Sequence, residues 1–488
     1  MNVTLHRLLL RASLPLVGLG LLFAPAGASA PAASRPNIIF ILADDLGYGD
    51  LSCYGQRRFA TPNIDRLASG GMRFTSHYSG TTVCAPSRSA LMTGLHTGHT
   101  PIRGNLEIQP EGQHPLPAGT FTLAKLLQQA GYATGVFGKW GLGFPGSEGA
   151  PRRQGFDRFF GYNCQRLGHH YHPDHLWDDD TKVTLPGNAG RGHGVYAPEL
   201  IHEKTLDFIA ANRERPFFCF VATVIPHAEL AAPERYLARH RGKYGSEKPY
   251  QGVDDGPTFR QGPYESQAEP HAAYAAMINL LDDQVGEIVA KVQQLGLAEK
   301  TLVVFASDNG PSLEGGSDPA YFNSSGGLRG VKRDLYEGGI RVPMIAHWPG
   351  TIARGSLSAH LSAFWDWLPT FAELAGQPVP TGLDGISLAP TLTGRGRQAP
   401  HDYLYWEFHE GGGRAALRQG DWKIVRYEVL AKPDGPLALF NIAVDPAEAN
   451  DLAARQPARV KQLEKLLRSA RTDSPVFRFG QTGYLQSR

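Results

Sequence analysis

The run Asn37 to Leu42 reads Asn-Ile-Ile-Phe-Ile-Leu, apolar from Ile38 onward with no alternation. Such a strand has no face to offer water, so it belongs inside a parallel sheet covered by helices on both sides. Ala133 to Phe137, Phe217 to Val224 and Leu302 to Ala306 are further β-prone runs of this type. Between them Thr122 to Gln129, Glu199 to Asn212 and Tyr274 to Leu295 carry helical patterns, the last with apolar residues three and four apart. The alternation predicts an α/β fold.

Each run ends at a polar group: Asp44 and Asp45 after the first, Lys139 after the second, His227 after the third, Asp308 and Asn309 after the fourth. Ligands of such sheets bind beyond the carboxyl ends of the strands, where the following loops converge. Three acids and an amide there make an oxygen shell suited to Ca²⁺ or Mg²⁺ rather than zinc. Lys139 and His227 would add positive charge and a proton donor, so the pattern points to an anionic substrate. Overall charge has no such message. The 48 Lys and Arg stand against 46 Asp and Glu, and the excess lies in Arg7 and Arg11, which predicts no nucleic-acid surface. Cys53, Cys84, Cys164 and Cys219 follow neither C-x-x-C nor zinc-finger spacing, which argues against a structural zinc.

His6, Arg7 and Arg11 lead into the apolar run Leu14 to Ala24, which is broken by Pro15 and followed by Ala28-Ser29-Ala30. The run is short of the ~20 residues that span a bilayer. This is the layout of a cleavable export signal over residues 1–30, cut after Ala30. It predicts a mature chain without a membrane span, in the periplasm or secreted.

Thr82 to Gly94 has the shape of a helix start, with Pro86 near the first turn and Gly94 as terminator. Cys84 then sits at a helix N-terminus with Arg88 one turn on, a place that favours an anion. Physics leaves two readings of Cys84 open, an activated thiolate or a small buried residue. The stretch Cys84-Ala85-Pro86-Ser87-Arg88-Ser89-Ala90-Leu91-Met92-Thr93-Gly94 fills every fixed position of C-x-P-S-R-x-x-L-x-T-G. It resembles the signature of the type I sulfatases, the formylglycine-dependent arylsulfatase and N-acetylgalactosamine-6-sulfatase group of the alkaline phosphatase superfamily. Asn37 to Gly49, Thr61 to Leu67, Gly131 to Gly143, Ser307 to Gly310, Leu328 to Pro343 and Asn441 to Leu452 resemble further segments of that family in order, over nearly the whole mature chain.

The resemblance implies hydrolysis of sulfate esters, of a glycan or an aryl alcohol, to alcohol and inorganic sulfate. It implies that a formylglycine-generating or equivalent maturation enzyme oxidises Cys84 to formylglycine (3-oxoalanine), whose hydrate attacks sulfur. By motif position Asp44, Asp45, Asp308, Asn309 and the converted Cys84 would hold one Ca²⁺. Arg88 would hold the diol, Lys139 and Lys332 would bind sulfate oxygens, and His227 would protonate the leaving alcohol, shared with Lys332. One position departs from the pattern. The family commonly has histidine where this chain has Gly141, the proposed base for sulfate release, and the run His169 to His175 is the nearest source of a substitute.

The resemblance also implies a large mixed, mostly parallel sheet flanked by helices, alkaline phosphatase-like, over residues 31–395. Tyr403 to Phe408, Trp422 to Val429 and the helical Ala454 to Ala470 predict a small antiparallel sheet with one helix within 396–488. Glu407, His409 and Arg414 are candidate substrate contacts there. Two other readings share part of the pattern: a phosphate or phosphonate ester hydrolase of the same superfold, and a non-catalytic glycan-binding relative. C-x-P-S-R weighs against the first, and the retained nucleophile and metal residues against the second.

Overall fold

The structure is a computed structural model that describes Met1, residues 35–260 and residues 264–479. The expected export segment lies outside the described residues, apart from Met1. Asn37–Ala43 forms the predicted central strand, and all seven residues are buried. Ile39 and Ile41 face a cluster that contains Ile201 and Phe208 of the helix Ala197–Ala211 and Leu281, Val285 and Ile288 of the helix Pro270–Gln294. Ile38, Phe40 and Leu42 face the opposite layer, with Leu127, Trp367 and Phe371. There the Phe40 ring meets Trp367 edge-on at 5.4 Å. Truncating a phenylalanine so placed costs about 3–5 kcal/mol.

Asn37–Ala43 pairs in parallel with Phe217–Ala222 on one side and Thr301–Ser307 on the other, and Ala133–Lys139 and then Arg158–Tyr162 continue the parallel series. The full sheet has ten strands among the described residues. Met344–His347 joins Thr301–Ser307 antiparallel, followed by Met72–Phe74 and Ser356–Ser358. His175–Asp178 and Thr181–Thr184 close the opposite edge, also antiparallel. The predicted mixed, mostly parallel sheet with helices on both faces is therefore present. Its four central strands fall on the four sequence runs. The helix expected from Tyr274 starts at Pro270, because proline supplies the first-turn φ and needs no N–H partner there. Thr122, expected inside its helix, is the cap: its hydroxyl accepts from Lys125 N at 3.1 Å.

Leu404–Phe408, Arg414–Gln419, Trp422–Tyr427 and Ala438–Asn441 form the small antiparallel sheet. One face packs under Leu463 and Leu467 of the helix Pro457–Ser469, against Tyr405, Leu417, Ile424 and Leu439. The other face sets Trp406, Phe408 and Val425 against Tyr78, Val83 and Trp365, just ahead of Cys84. Beneath it Lys423 Nζ is shared by Glu337 and Glu448, at 2.9 Å from each. No helix among the described residues is long and apolar enough to cross a membrane.

Candidate active site

The cysteine helix, Cys84–Thr93, begins after an extended Val83 and stops at Gly94, whose φ of 69° turns the chain into the left-handed region. All ten of its residues are buried. Cys84 Sγ lies 3.4 Å from Asp44 Oδ1 and 3.4 Å from Lys139 Nζ. Burial, and then the Asp44 charge, push the thiol well above its ordinary range. A thiol held protonated is a poor nucleophile, so the geometry does not favour the activated-thiolate reading.

The loops after the central strands bring the other residues to the same point. Asp45 adopts φ 62°, a conformation aspartate tolerates better than most residues, which sends the two adjacent carboxylates to different partners. Asp44 Oδ2 accepts from Lys139 Nζ at 2.5 Å and from Arg88 Nη2 at 3.3 Å. Asp45 Oδ2 accepts from Lys332 Nζ at 2.8 Å, and its Oδ1 from Asn309 Nδ2 at 2.7 Å. Arg88 grips Asp308 Oδ2 through Nε at 3.2 Å and Nη2 at 2.9 Å, and donates from Nη1 to the Lys139 carbonyl at 2.6 Å. His227 Nε2 stands 3.1 Å from Lys332 Nζ and 3.5 Å from Asp45 Oδ2, while its Nδ1 faces the Ala228 carbonyl. Every residue that the sequence singled out for catalysis or metal is thus joined in one buried network.

Charge in that network is set by mutual contact. Burial, the largest influence, would lower both lysines, but Asp44 together with neighbours such as Asp308 outweighs it at Lys139, and Asp45 together with neighbours such as Glu314 at Lys332, so both stay ammonium. Burial and the neighbouring Lys332 hold His227 below the usual imidazole range. Asp308 is pushed up to about 7 by burial and by the Asp44 charge across Arg88.

These residues fit a hard divalent cation. One ligand atom each from Asp44, Asp45, Cys84 and His227 lies within a span of 4.8 Å. Asn309 Oδ1 is buried with no hydrogen-bond partner, an unsatisfied oxygen of the type such an ion takes. A cation would also relieve the carboxylate repulsion that raises Asp308.

Glu314, Tyr264 and Arg333 border this network and were not assigned in the sequence. Glu314 Oε2 accepts from Tyr264 OH at 3.0 Å and from Lys332 Nζ at 3.4 Å, and Arg333 pairs with its other oxygen at 2.8 Å. His169, the one member of its histidine run to touch this network, stacks on His227 with ring centroids 4.6 Å apart and 12° between planes. The others are engaged elsewhere: His170 with Glu229, His172 with His193, His175 with Glu111 and Asp174. Glu407 is fully buried and takes Arg103 at 3.1 Å, Arg471 at 2.8 Å and His409 at 3.0 Å, so its carboxylate braces the small sheet. Arg414 likewise pairs with Asp334 at 3.2 Å. A second cluster of His96, His99 and Asp384 also has ligand spacing. There Gly98 N–H donates to His96 Nδ1, which leaves the ring proton on Nε2, 3.5 Å from Asp384, and no lone pair for a metal.

A buried centre of cationic side chains and carboxylates at the carboxyl ends of a parallel sheet is suited to hold an anionic group. The sulfatase family model matches residues 36–377, and a model for the N-sulphoglucosamine sulphohydrolase C-terminal region matches residues 330–473. The chain is 34% identical to human (Homo sapiens) arylsulfatase A over 91% of its own length and 89% of that protein's. It is 34% identical to rat (Rattus norvegicus) N-acetylgalactosamine-6-sulfatase over 77% of its length and 68% of that protein's. The crystal structure of Ps i-CgsB in complex with k-i-k-neocarrahexaose superimposes with a TM-score of 0.74 at 26% identity, over 93% of this chain and 98% of that one. The chain belongs to the sulfatase family and is a sulfuric ester hydrolase.

Proposed function

We propose that this chain is an exported sulfatase that removes sulfate from a carbohydrate, using Cys84 matured to formylglycine and one Ca²⁺. The observation that carries the reading is the convergence of Asp44, Asp45, Asp308 and Asn309 with Arg88, Lys139 and Lys332 around the Sγ of Cys84. Asp44, Asp45, Asp308, Asn309 and the matured Cys84 would hold the calcium, which supplies charge neutralisation at the nucleophile and at the sulfate oxygens. The hydrated aldehyde supplies a hydroxyl nucleophile with a second hydroxyl on the same carbon, so release of sulfate needs no attacking water.

The remaining work falls to this chain's own groups. Arg88 fixes the helix start against Asp308 and the Lys139 carbonyl, which positions Cys84. Lys139 and Lys332, both kept charged, flank the place where the sulfate oxygens must sit and stabilise the charge that spreads over them. His227 keeps its proton on Nδ1 against the Ala228 carbonyl, so Nε2 receives from Lys332. That pair can pass a proton to the leaving alcohol oxygen.

Ps i-CgsB was captured with k-i-k-neocarrahexaose and the rat relative is named for N-acetylgalactosamine, which supports a sulfated carbohydrate as substrate class. The same reading takes residues 1–30 as an export signal, residues 31–395 as the catalytic domain and 396–488 as the smaller C-terminal one. It is tested with protein made beside a maturation enzyme. 4-Nitrocatechol should be released from its sulfate ester far faster than from the matching phosphate, and a calcium chelator should abolish the release. The peptide carrying Cys84 should have lost sulfur and gained oxygen by mass. Turnover by protein with an unmodified thiol would overturn the mechanism, and equal cleavage of the phosphate would favour the phosphoesterase reading.

A further inference from the structure

Gln165 lies in the loop that follows the strand Arg158–Tyr162, itself paired in parallel with the strand that ends at Lys139. The pairing runs on past both strands, with Trp140 N–H on the Tyr162 carbonyl at 2.9 Å and Gly141 N–H on the Asn163 carbonyl at 3.1 Å. The segment from Cys164 to His169 then folds back as one wall of the active site. Gly168 packs on the Lys139 stem, where an added Cβ would meet Lys139 Cδ at 2.9 Å. His169 stacks on His227. Gln165 fills the space over Gly141, two residues beyond Lys139: a Cβ at position 141 would lie 2.1 Å from Gln165 Nε2.

The side chain of Gln165 is buried at 6% exposure, yet neither its Oε1 nor its Nε2 has a hydrogen-bond partner. Most buried side-chain amides are paired in folded proteins, and leaving both ends unmet is costly; among the described residues Gln165 is the amide with both of its side-chain polar atoms unmet. Its backbone N–H donates to Gln113 Oε1 at 3.3 Å, so the fold holds the residue in place without using the side-chain amide. An idle donor and acceptor, packed on the loop of a sulfate-binding lysine, point to a ligand as the partner.

We propose that Gln165 is a sulfate-contacting residue, its Nε2 donating to an oxygen of the sulfate group that Lys139 holds, in the space that Gly141 leaves free. The proposal rests on the sulfatase reading above and deepens it. An amide takes up no proton near neutral pH, so Gln165 orients the group and stabilises its charge and does not serve as a base.

The test uses full-length matured enzyme, 4-nitrocatechol sulfate as substrate and inorganic sulfate as competing ligand. Gln165→Ala should lower kcat/KM by about 10²-fold, the usual effect of losing one donor to a developing oxyanion. It should also weaken inhibition by sulfate at least about tenfold, a readout that a purely structural role would not move selectively. Gln165→Glu, close in shape, places a carboxylate against the anion. It should be slower still at pH 7 and recover relative to wild type as the pH falls below about 5, where the carboxyl protonates and regains a donor. If the alanine variant lacks a cooperative melting transition, the glutamate variant carries the test alone. Unchanged sulfate inhibition and a glutamate pH profile parallel to wild type would overturn the assignment while leaving the sulfatase reading intact. Wild-type enzyme that cleaves no sulfate ester would overturn both.

Discussion

Replacing Lys332 by alanine separates two effects that a simple loss of structure would move together. Its Nζ touches Asp45 Oδ2 at 2.8 Å, His227 Nε2 at 3.1 Å and Glu314 Oε2 at 3.4 Å. On the proposed assignment the ammonium meets a sulfate oxygen in the transition state, and hydrogen bonds to charged groups contribute about 1.5–3 kcal/mol. That corresponds to a fall in kcat/KM of roughly 10- to 150-fold. The same ammonium competes with a cation for Asp45 Oδ2, so its removal should tighten calcium binding while turnover slows. Glu314 keeps Arg333 at 2.8 Å and is not left unpaired. Steady-state kinetics on an aryl sulfate, with calcium affinity from titration calorimetry, gives both signs in one preparation. Kinetics within about threefold of wild type would remove Lys332 from the sulfate site. Slower turnover together with weaker calcium binding would show that the residue only supports the fold.

Cys84→Ala should abolish sulfate ester cleavage and leave a cooperative thermal transition near that of wild type; residual turnover would refute the assigned nucleophile. Gly141→Ala should cost about 1–2 kcal/mol of stability, because its φ of 71° is left-handed. It should also displace Gln165 and lower activity by more than that strain explains, as read from paired melting and kinetic measurements. Glu407 has a depressed pKa of about 2: burial works to raise it, and the hydrogen bond and charge of His409 with the charges of Arg103 and Arg471 outweigh that. Its contribution of about 3 kcal/mol is present above the unfolded value near 4.5 and fades as pH falls through about 2. Glu407→Gln should therefore flatten the loss of stability between those values in acid unfolding curves, and an unchanged slope would contradict the assignment.

The sheet core was legible because the signal for it is local. Unbroken apolar runs such as Ile38 to Leu42 announce burial on both faces, and the polar residue at each run's end falls on the side where the loops meet. The outer strands gave no such signal. Met72–Phe74 and Ser356–Ser358 are three residues each, too short for a period to register. Lys332 could be assigned only through resemblance, since its place depends on a loop pinned by its N–H on the Pro311 carbonyl at 2.9 Å. Glu314 and Gln165 lie on irregular segments whose course is decided by tertiary contacts, so nothing in their neighbouring residues marks them. Glu407 shows the converse error. A charged residue in a strand reads as surface or substrate contact, and only the fold reveals the two arginines and the histidine that consume its charge.

On the proposed function, the burial of the whole cysteine helix would make the maturation of Cys84 a race against folding. Once Cys84–Thr93 is sealed between the large sheet and Trp365 and Trp406, no catalyst can grasp that stretch without reopening the protein. If Cys84 is matured as proposed, that editing would have to act on the chain before it folds, and supplying the editing enzyme after refolding should leave the thiol as it was.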